Sequence, residues 1–391
     1  MLNRFLLIIT IILGTLSASS QVKIQFSRLI DENFTESNIL SELKFTELQL
    51  EKPEMIAPDM ELKYEDNNYF ILDNRFTQCV YRFDEDGLLL NTICEKIAGD
   101  TINKMVLKNP VKFSVNPFLK QVEIYNFESS GVQRFSYDGA YQDKIKFSIN
   151  PADFIRDRDG NYFIYTGWNN KDSQFRLLQT DKNGNVTDRK MRLVSKCTPT
   201  EGMSFYNSHK GICLWELLGN STYMINKGII TEKYNFNFGT KSLLPNYHEL
   251  EASDSYQLIN HTGYYTIKKY LENDNFAYFF LNFTSSESKQ MIHVVYDKKT
   301  NKTFKLLENS GIGAFNKAQA LTENDELIFL IVQKKFRQVL SAENEAFSPI
   351  FGELAESINS LRNPIVLRIK LKSLAISNDD TQSEQKQEPI D

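Results

Sequence analysis

The sequence predicts an all-β chain folded as a six-bladed β-propeller with four antiparallel strands per blade. Three observations carry that prediction. A short apolar run recurs six times at intervals of 40 to 64 residues: YFILDNR at Tyr69, VEIYNFE at Val122, YFIYTGW at Tyr162, ICLWELL at Ile212, FAYFFLN at Phe276 and LIFLIVQ at Leu327. Most of these runs are followed by two further strand-like runs around a tight turn, as QCVYRF and LLLNTI flank Asp84-Glu85-Asp86-Gly87. Aromatic residues make up 12% of the chain, with 28 Phe and 18 Tyr, a composition that suits half-buried strands stacked face to face. Radial repetition of such a unit leaves an all-β chain with only short, protected edges.

Each repeat reads as a whole blade. The third and fourth strands meet at Asp138-Gly139 in the second, at Asp181-Lys182-Asn183-Gly184 in the third, at Asn226-Lys227-Gly228 in the fourth and at Asp297 to Asn301 in the fifth. Asp, Asn and Gly recur there because hairpin turns need residues that tolerate positive φ. A short polar connection precedes each second strand, for example Asp157-Arg158-Asp159-Gly160 and Asn207-Ser208-His209. The sixth repeat has no fourth strand, because after NPIVLRIKLK (Asn363 to Lys372) the chain turns into a polar tail. The run LKFTELQL, Leu43 to Leu50, precedes the first repeat and is expected to pair with Asn363 to Lys372, so that sequence from both ends closes the last blade. One short C-terminal helical insertion is expected in SPIFGELAESINSLR, where Phe351, Leu354, Ile358 and Leu361 fall at helical spacing.

The expected organisation is a signal peptide over 1–20, a lead segment over 21–42, the propeller over 43–373 and a polar tail over 374–391. Arg4, the apolar stretch Phe5 to Leu16 and the small residues Ser17-Ala18-Ser19-Ser20 have the layout of an export signal cleaved before Gln21. Twelve apolar residues are short for a bilayer span, and no Cys lies near the cleavage point to carry a lipid. The mature chain is expected to be soluble in the periplasm or outside the cell, with no stable membrane anchor. In that oxidising setting Cys79 and Cys94 flank the first hairpin turn. Pairing Phe83 with Leu90 sets them opposite each other, and a disulfide there would contribute at most about 3 kcal/mol. Cys197 and Cys213 are less well matched, because the hairpin around Asn207 to Lys210 does not put them opposite each other; a second disulfide stays open for them, and for both pairs the alternative is buried free thiols.

The net charge is −5, spread evenly, whereas nucleic acid rewards basic stripes. No nucleic-acid partner is expected.

The units ILDNRFTQCVYRFDEDGLLLNTI and EIYNFESSGVQRFSYDGAYQDKI, the strand FTELQLEKP and the ending ESINSLRNPIVLRIKLK resemble the secreted six-bladed β-propeller family of Bacteroidetes bacteria, relatives of the NHL and TolB-like propellers. The resemblance spans roughly Leu43 to Lys372 and implies the fold. It departs from the family in lacking a lipoprotein cysteine and in carrying CEKIAGDTINKMVLKNP where a GPGEY-like loop often stands. It implies no particular activity.

No HExxH, GxSxG or P-loop spacing occurs, and RDRDGNYFIYTGW lacks the leading Ser of a sialidase Asp-box. Asp73, Asn126, Glu216 and Asn282 end second strands and are the set from which a lactonase-like calcium site would be drawn; the alternative for each is hydrogen bonding to loop backbone. Asp157 to Gly160 has the look of a calcium-loop fragment or, without a distal Glu, of a turn. Connections between second and third strands and between blades are the long ones: Glu95 to Pro110, Val194 to Thr200, Asn237 to His261 and Gln333 to Arg362. Binding usually resides on such loops. Contacts to a protein, peptide or glycan are therefore expected on that face from Asp73, Arg75, Glu128, Trp168, Asn169 and Glu216, with Trp168 either an aromatic platform or packed between blades. A non-catalytic binding or scaffold propeller is the first reading of function. A calcium-dependent lactonase-like hydrolase or lyase is the alternative.

Overall fold

The computed structural model describes residues 21–25, 40–50, 60–94, 110–126, 131–167, 174–192, 205–216, 219–242, 254, 263–306, 315–331 and 363–373. Six sheets account for the strands, each built on four antiparallel strands. The architecture is an all-β, six-bladed propeller. Contacts divide the chain into two compact units, one of Met1–Leu29, Cys94–Tyr270 and Phe280–Met291, the other of Ile30–Ile93, Leu271–Phe279 and Ile292–Asp391. The second, third and fourth blades belong to the first unit; the first and sixth belong to the other.

Burial explains why the second strands were the legible ones. Asn68–Asp73, Tyr162–Tyr165 and the first six residues of Phe276–Thr284 are buried without a break. A strand covered on both faces reads as a continuous apolar run rather than an alternation. The fourth strands are the opposite case: Tyr141–Lys146 and Val186–Arg192 are largely exposed and rich in charge, which blunts an open edge.

The turns use one device repeatedly. Oδ1 of Asp84 accepts the N–H groups of Asp86 (3.0 Å) and Leu88 (2.8 Å), Oδ1 of Asp157 those of Asp159 (2.9 Å) and Asn161 (2.8 Å), and Oδ1 of Asp181 those of Asn183 (2.9 Å) and Asn185 (2.8 Å). In each, a glycine at positive φ follows at the third position, Gly87 (82°), Gly160 (88°) and Gly184 (87°). The Asp157 turn is thus closed by its own carboxylate.

In the first blade, Val80 pairs with Ile93 and Arg82 with Asn91, but Phe83 pairs with Leu89 instead of Leu90. The Asp84 turn closes at Leu88, so the ladder gains a bulge and Leu90 is exposed. Beyond the bulge the register runs toward Cys79 and Cys94, and both cysteines are disulfide-bonded. Cys213 is a buried thiol, and Cys197 lies outside the described residues.

The last blade closes with sequence from both ends, as expected. Strand Leu40–Glu47 pairs antiparallel with Ile365–Leu371, from Leu40 opposite Leu371 to Glu47 opposite Ile365, and so begins earlier than Leu43. Leu48 N–H donates to the Pro364 carbonyl (2.9 Å) and Gln49 N–H to that of Gly87 (2.8 Å). A Cβ on Gly87 would stand 2.1 Å from the Glu47 carbonyl oxygen, so this turn tolerates no side chain. The sequence reading missed one strand altogether. Val22–Gln25 adds in parallel to Ile229–Asn237 as a fifth strand of the fourth blade, with Ile24 buried and Asn237 Nδ2 donating to Gln25 Oε1 at 2.9 Å. Its four residues carry too little pattern to be recognised alone. The helix expected from Ser348 to Arg362, the expected signal peptide over 1–20 and the tail over 374–391 lie outside the described residues.

The fifth blade buries a histidine whose protonation state follows from its partners. The Phe315 carbonyl only accepts, so His293 Nε2 carries the hydrogen (3.2 Å); Nδ1 accepts from the Tyr278 hydroxyl (2.9 Å), which in turn accepts from Ala318 N–H (3.0 Å). Burial pushes the imidazole down to about 4. The unfolded chain then binds the extra proton between about pH 6.5 and 4, so stability is complete above that window and declines through it as pH falls, by up to about 3 kcal/mol. His293→Gln should flatten the drop in Tm between pH 7 and pH 4.5; an unchanged pH dependence would contradict the assignment.

Candidate functional site

Among the described residues, three boundaries between blades carry a carboxylate, an arginine and a tyrosine in contact; the carboxylate is buried in two of them, Glu123 and Glu216, and partly exposed in the third, Glu85. Between the second and third blades, Glu123 Oε1 accepts from Arg156 Nη1 and from the Tyr162 hydroxyl, each at 3.0 Å. Arg156 also donates from Nε to the Gly160 carbonyl (2.9 Å) and from Nη1 to Gln121 Oε1 (2.7 Å), and its guanidinium lies over the Tyr162 ring. Glu123 is 0% exposed, and its Oε2 has no hydrogen-bond partner among the described residues. Burial raises its pKa, against the pull of Arg156.

Between the third and fourth blades, Glu216 accepts from Arg176 Nη1 and from the Tyr165 hydroxyl (3.2 Å), and burial again raises its pKa. Between the sixth and first, Arg368 donates to Glu85 Oε1 (2.8 Å) and to Glu326 while lying over the Tyr64 ring. The Tyr64 hydroxyl reaches the same Glu85 oxygen at 2.6 Å. That hydrogen bond, followed by the one from Arg368, holds the Glu85 carboxyl below the usual range. In the two buried pairs, removing the arginine would strand a carboxylate in the interior, because each charge there is tolerable only beside its partner.

Two of the residues expected to meet a ligand are therefore engaged elsewhere. Glu216 is a latch between blades. Asp73 is fully buried, and its carboxylate accepts the N–H groups of Arg75 (3.0 Å), Phe76 (3.0 Å) and Thr77 (3.1 Å) and the Thr77 hydroxyl (3.0 Å), holding the loop after the second strand of the first blade. Arg75 is exposed on that loop beside Phe76. Asn126 is a buried ladder residue opposite Gly131, and Asn282 Nδ2 donates to Thr284 Oγ1 at 2.7 Å. Glu128, Trp168 and Asn169 lie outside the described residues, as does most of the long-loop face. Among the described residues, no group of three or more His, Cys, Asp or Glu side chains is placed to hold a metal ion.

A cavity of about 620 Å³ opens instead among the tight turns of the second, third and fourth blades. Its floor includes the buried Phe163, Ile212, Met224 and Ile225. Its wall carries four cationic side chains, Arg158, Lys210, Lys227 and Lys233, against the carboxylates of Asp157 and Asp159. Arg158 is held in place: Nη2 donates to the His209 carbonyl (2.9 Å), and the guanidinium sits 4.4 Å from the centroid of the Phe118 ring, itself 53% exposed. The sequence reading takes these turns for their tolerance of positive φ and, at Asp157 to Gly160, for a calcium-loop fragment or a turn. The available signal was the cations of the fourth blade, Lys210, Lys227 and Lys233, which join Arg158 of the third on one cavity.

Comparison with known proteins follows the fold. A solved structure described as a "Putative exported protein" from Bacteroides fragilis NCTC 9343 aligns with a TM-score of 0.68 at 18% identity, covering 90% of this chain and 100% of that one. A member of the DUF4221 family from Bacteroides vulgatus ATCC 8482 aligns with a TM-score of 0.55 at 12% identity, covering 86% of this chain and 98% of that one. At these identities the likeness shows the fold alone. No helix among the described residues is long and apolar enough to cross a membrane, and no curated protein matches the sequence. The family profile described as a domain of unknown function, DUF4934, matches residues 22–370, and the chain belongs to that family.

Proposed function

We propose that this chain is an extracytoplasmic binding or scaffold propeller, akin to the NHL and TolB-like propellers, exported by its N-terminal signal and engaging a protein, peptide or glycan without catalysing a reaction. One observation carries the reading. The buried carboxylates with raised pKa values, Glu123 and Glu216, are each locked to an arginine and a tyrosine at a blade boundary, whereas the turn-face cavity is lined by cations over an apolar floor. Groups that would serve as acids or bases hold the scaffold, and the accessible concave surface is built for recognition. The solved exported relative is consistent with a role outside the cytoplasm.

The test is to pass the mature chain, residues 21–391, over glycan and peptide arrays and to follow its Tm with calcium. Saturable capture of one ligand class with no calcium response is the expected result. A calcium-dependent rise in Tm that Asp73→Ala abolishes, together with lactone hydrolysis, would replace this reading with a hydrolase.

A further inference from the structure

The turn-face cavity carries a more specific inference, which rests on the binding reading above. The chain as a whole has net charge −5, yet the wall of this cavity is cationic. Of its two carboxylates, that of Asp157 is committed to the N–H groups of Asp159 and Asn161 in its own turn. Arg158 is oriented by the His209 carbonyl and the Phe118 ring, and its Nε and Nη1 have no hydrogen-bond partner among the described residues. The Lys227 ammonium likewise pairs with no carboxylate among the described residues. An oriented guanidinium and a second cation lining one cavity suit an anion, and the guanidinium fork suits a planar carboxylate.

The rest of the lining narrows the class. Ser208, Asn226 and Thr231 add neutral hydrogen-bonding groups, and Asn226 uses only its Nδ2, toward the Lys210 carbonyl (3.1 Å), which leaves its Oδ1 as an acceptor. Below them lies the apolar floor of Phe163, Ile212, Met224 and Ile225. An inorganic anion needs no such floor. A peptide that binds by strand addition would need an open strand edge, and the walls here are turns whose flanking strands are already paired, Ser208 with Gly211 and Asn226 with Ile229. A ring that bears a carboxylate, several hydroxyls and an apolar face meets all three parts of the lining.

We propose that the cavity formed by the turns of blades two to four is a binding site for a carboxylated sugar of one or two rings, with Arg158 and Lys227 holding the carboxylate.

The experiment is isothermal titration of the mature chain with galacturonic acid and its dimer at low salt, using galactose, sodium sulfate and an Asp-Glu hexapeptide as comparators. The uronates should bind, galactose should bind at least about tenfold more weakly, and R158Q and K227Q should each weaken the uronate about tenfold with Tm unchanged, a tenfold loss being ~1.4 kcal/mol. Four outcomes would overturn the proposal: no uronate binding, equal binding of galactose, displacement by sulfate at the same concentration, or tighter binding of the hexapeptide lost in the same variants. If the arrays yield a ligand whose binding survives R158Q and K227Q, this site assignment fails while the binding reading stands. If they yield none, the binding reading itself fails.

Discussion

Removing residues 21–52 should abolish cooperative folding or lower Tm by more than about 15 °C, far beyond the effect of trimming an ordinary terminus. The deletion strips the fourth strand from the last blade and exposes one edge of Ile365–Leu371, five of whose residues, Ile365, Val366, Leu367, Ile369 and Leu371, are at most 2% exposed. It also removes the bonds from Leu48 to Pro364, from Gln49 to Gly87 and from Asn363 Nδ2 to Glu47 Oε1 (2.9 Å). At about 1 kcal/mol net per hydrogen bond, before any apolar burial, the loss is of order 5 kcal/mol or more. That is comparable to the whole stability of a domain. Deleting only 21–39 keeps Leu40–Glu47 and forfeits just the short parallel strand at Val22–Gln25, so that chain should melt within a few degrees of the intact one. Circular dichroism melts of the two truncations decide the matter, and equal melting would contradict closure by the N-terminal strand.

The second large effect is expected at the latch between blades two and three. Arg156→Met leaves Glu123 buried with the Tyr162 hydroxyl and only the more distant charge of Arg134, without its ion-paired partner, and should cost about 3–5 kcal/mol at pH 7. The pH dependence has a definite sign. Burial already raises the Glu123 pKa and Arg156 opposes the rise, so losing the arginine raises it further. A carboxyl whose folded pKa exceeds its unfolded value of about 4.3 takes up a proton more readily in the folded state. Its stability contribution is greatest at low pH and is lost as pH rises through the folded pKa. The deficit of Arg156→Met should therefore shrink between pH 7 and pH 5, and the double variant with Glu123→Gln should be less damaged at pH 7 than Arg156→Met alone. Urea unfolding at the two pH values tests both statements; a deficit that stays constant or grows on acidification would show that Glu123 is not the group left stranded.

Much of the fold was legible because its strongest constraints are local in sequence. Tyr69, Tyr162 and Phe276 open runs buried on both faces, and the Asp-x-x-Gly turns repeat a backbone requirement that only a few residue types meet. The closing strand was legible by elimination, since Leu43 to Leu50 had no other partner and Ile365–Leu371 lacked an outer neighbour. The Leu90 bulge was not, because the choice between Leu89 and Leu90 depends on where the Asp84 side chain closes the turn. The latches were not legible either. Glu123 and Arg156 are 33 residues apart on different sheets, and nothing in either strand marks its partner. The sequence places Glu216 at the end of a second strand and offers it to a ligand, whereas in the structure the group that neutralises it is Arg176. Loop length pointed to one face of the propeller, whereas the cavity among the described residues lies where loops are shortest, and charge rather than length marks it.

Amide hydrogen exchange read by mass spectrometry addresses the closure of the propeller most directly. If the last blade is completed by the N-terminal strand, amides of Leu40–Glu47 engaged in the ladder and those of Ile365–Leu371 should exchange together, as slowly as the central strands Asn68–Asp73 and Gln121–Asn126. Exchange of 40–47 on the timescale of a free peptide, with 365–371 still protected, would contradict a propeller closed by sequence from both ends.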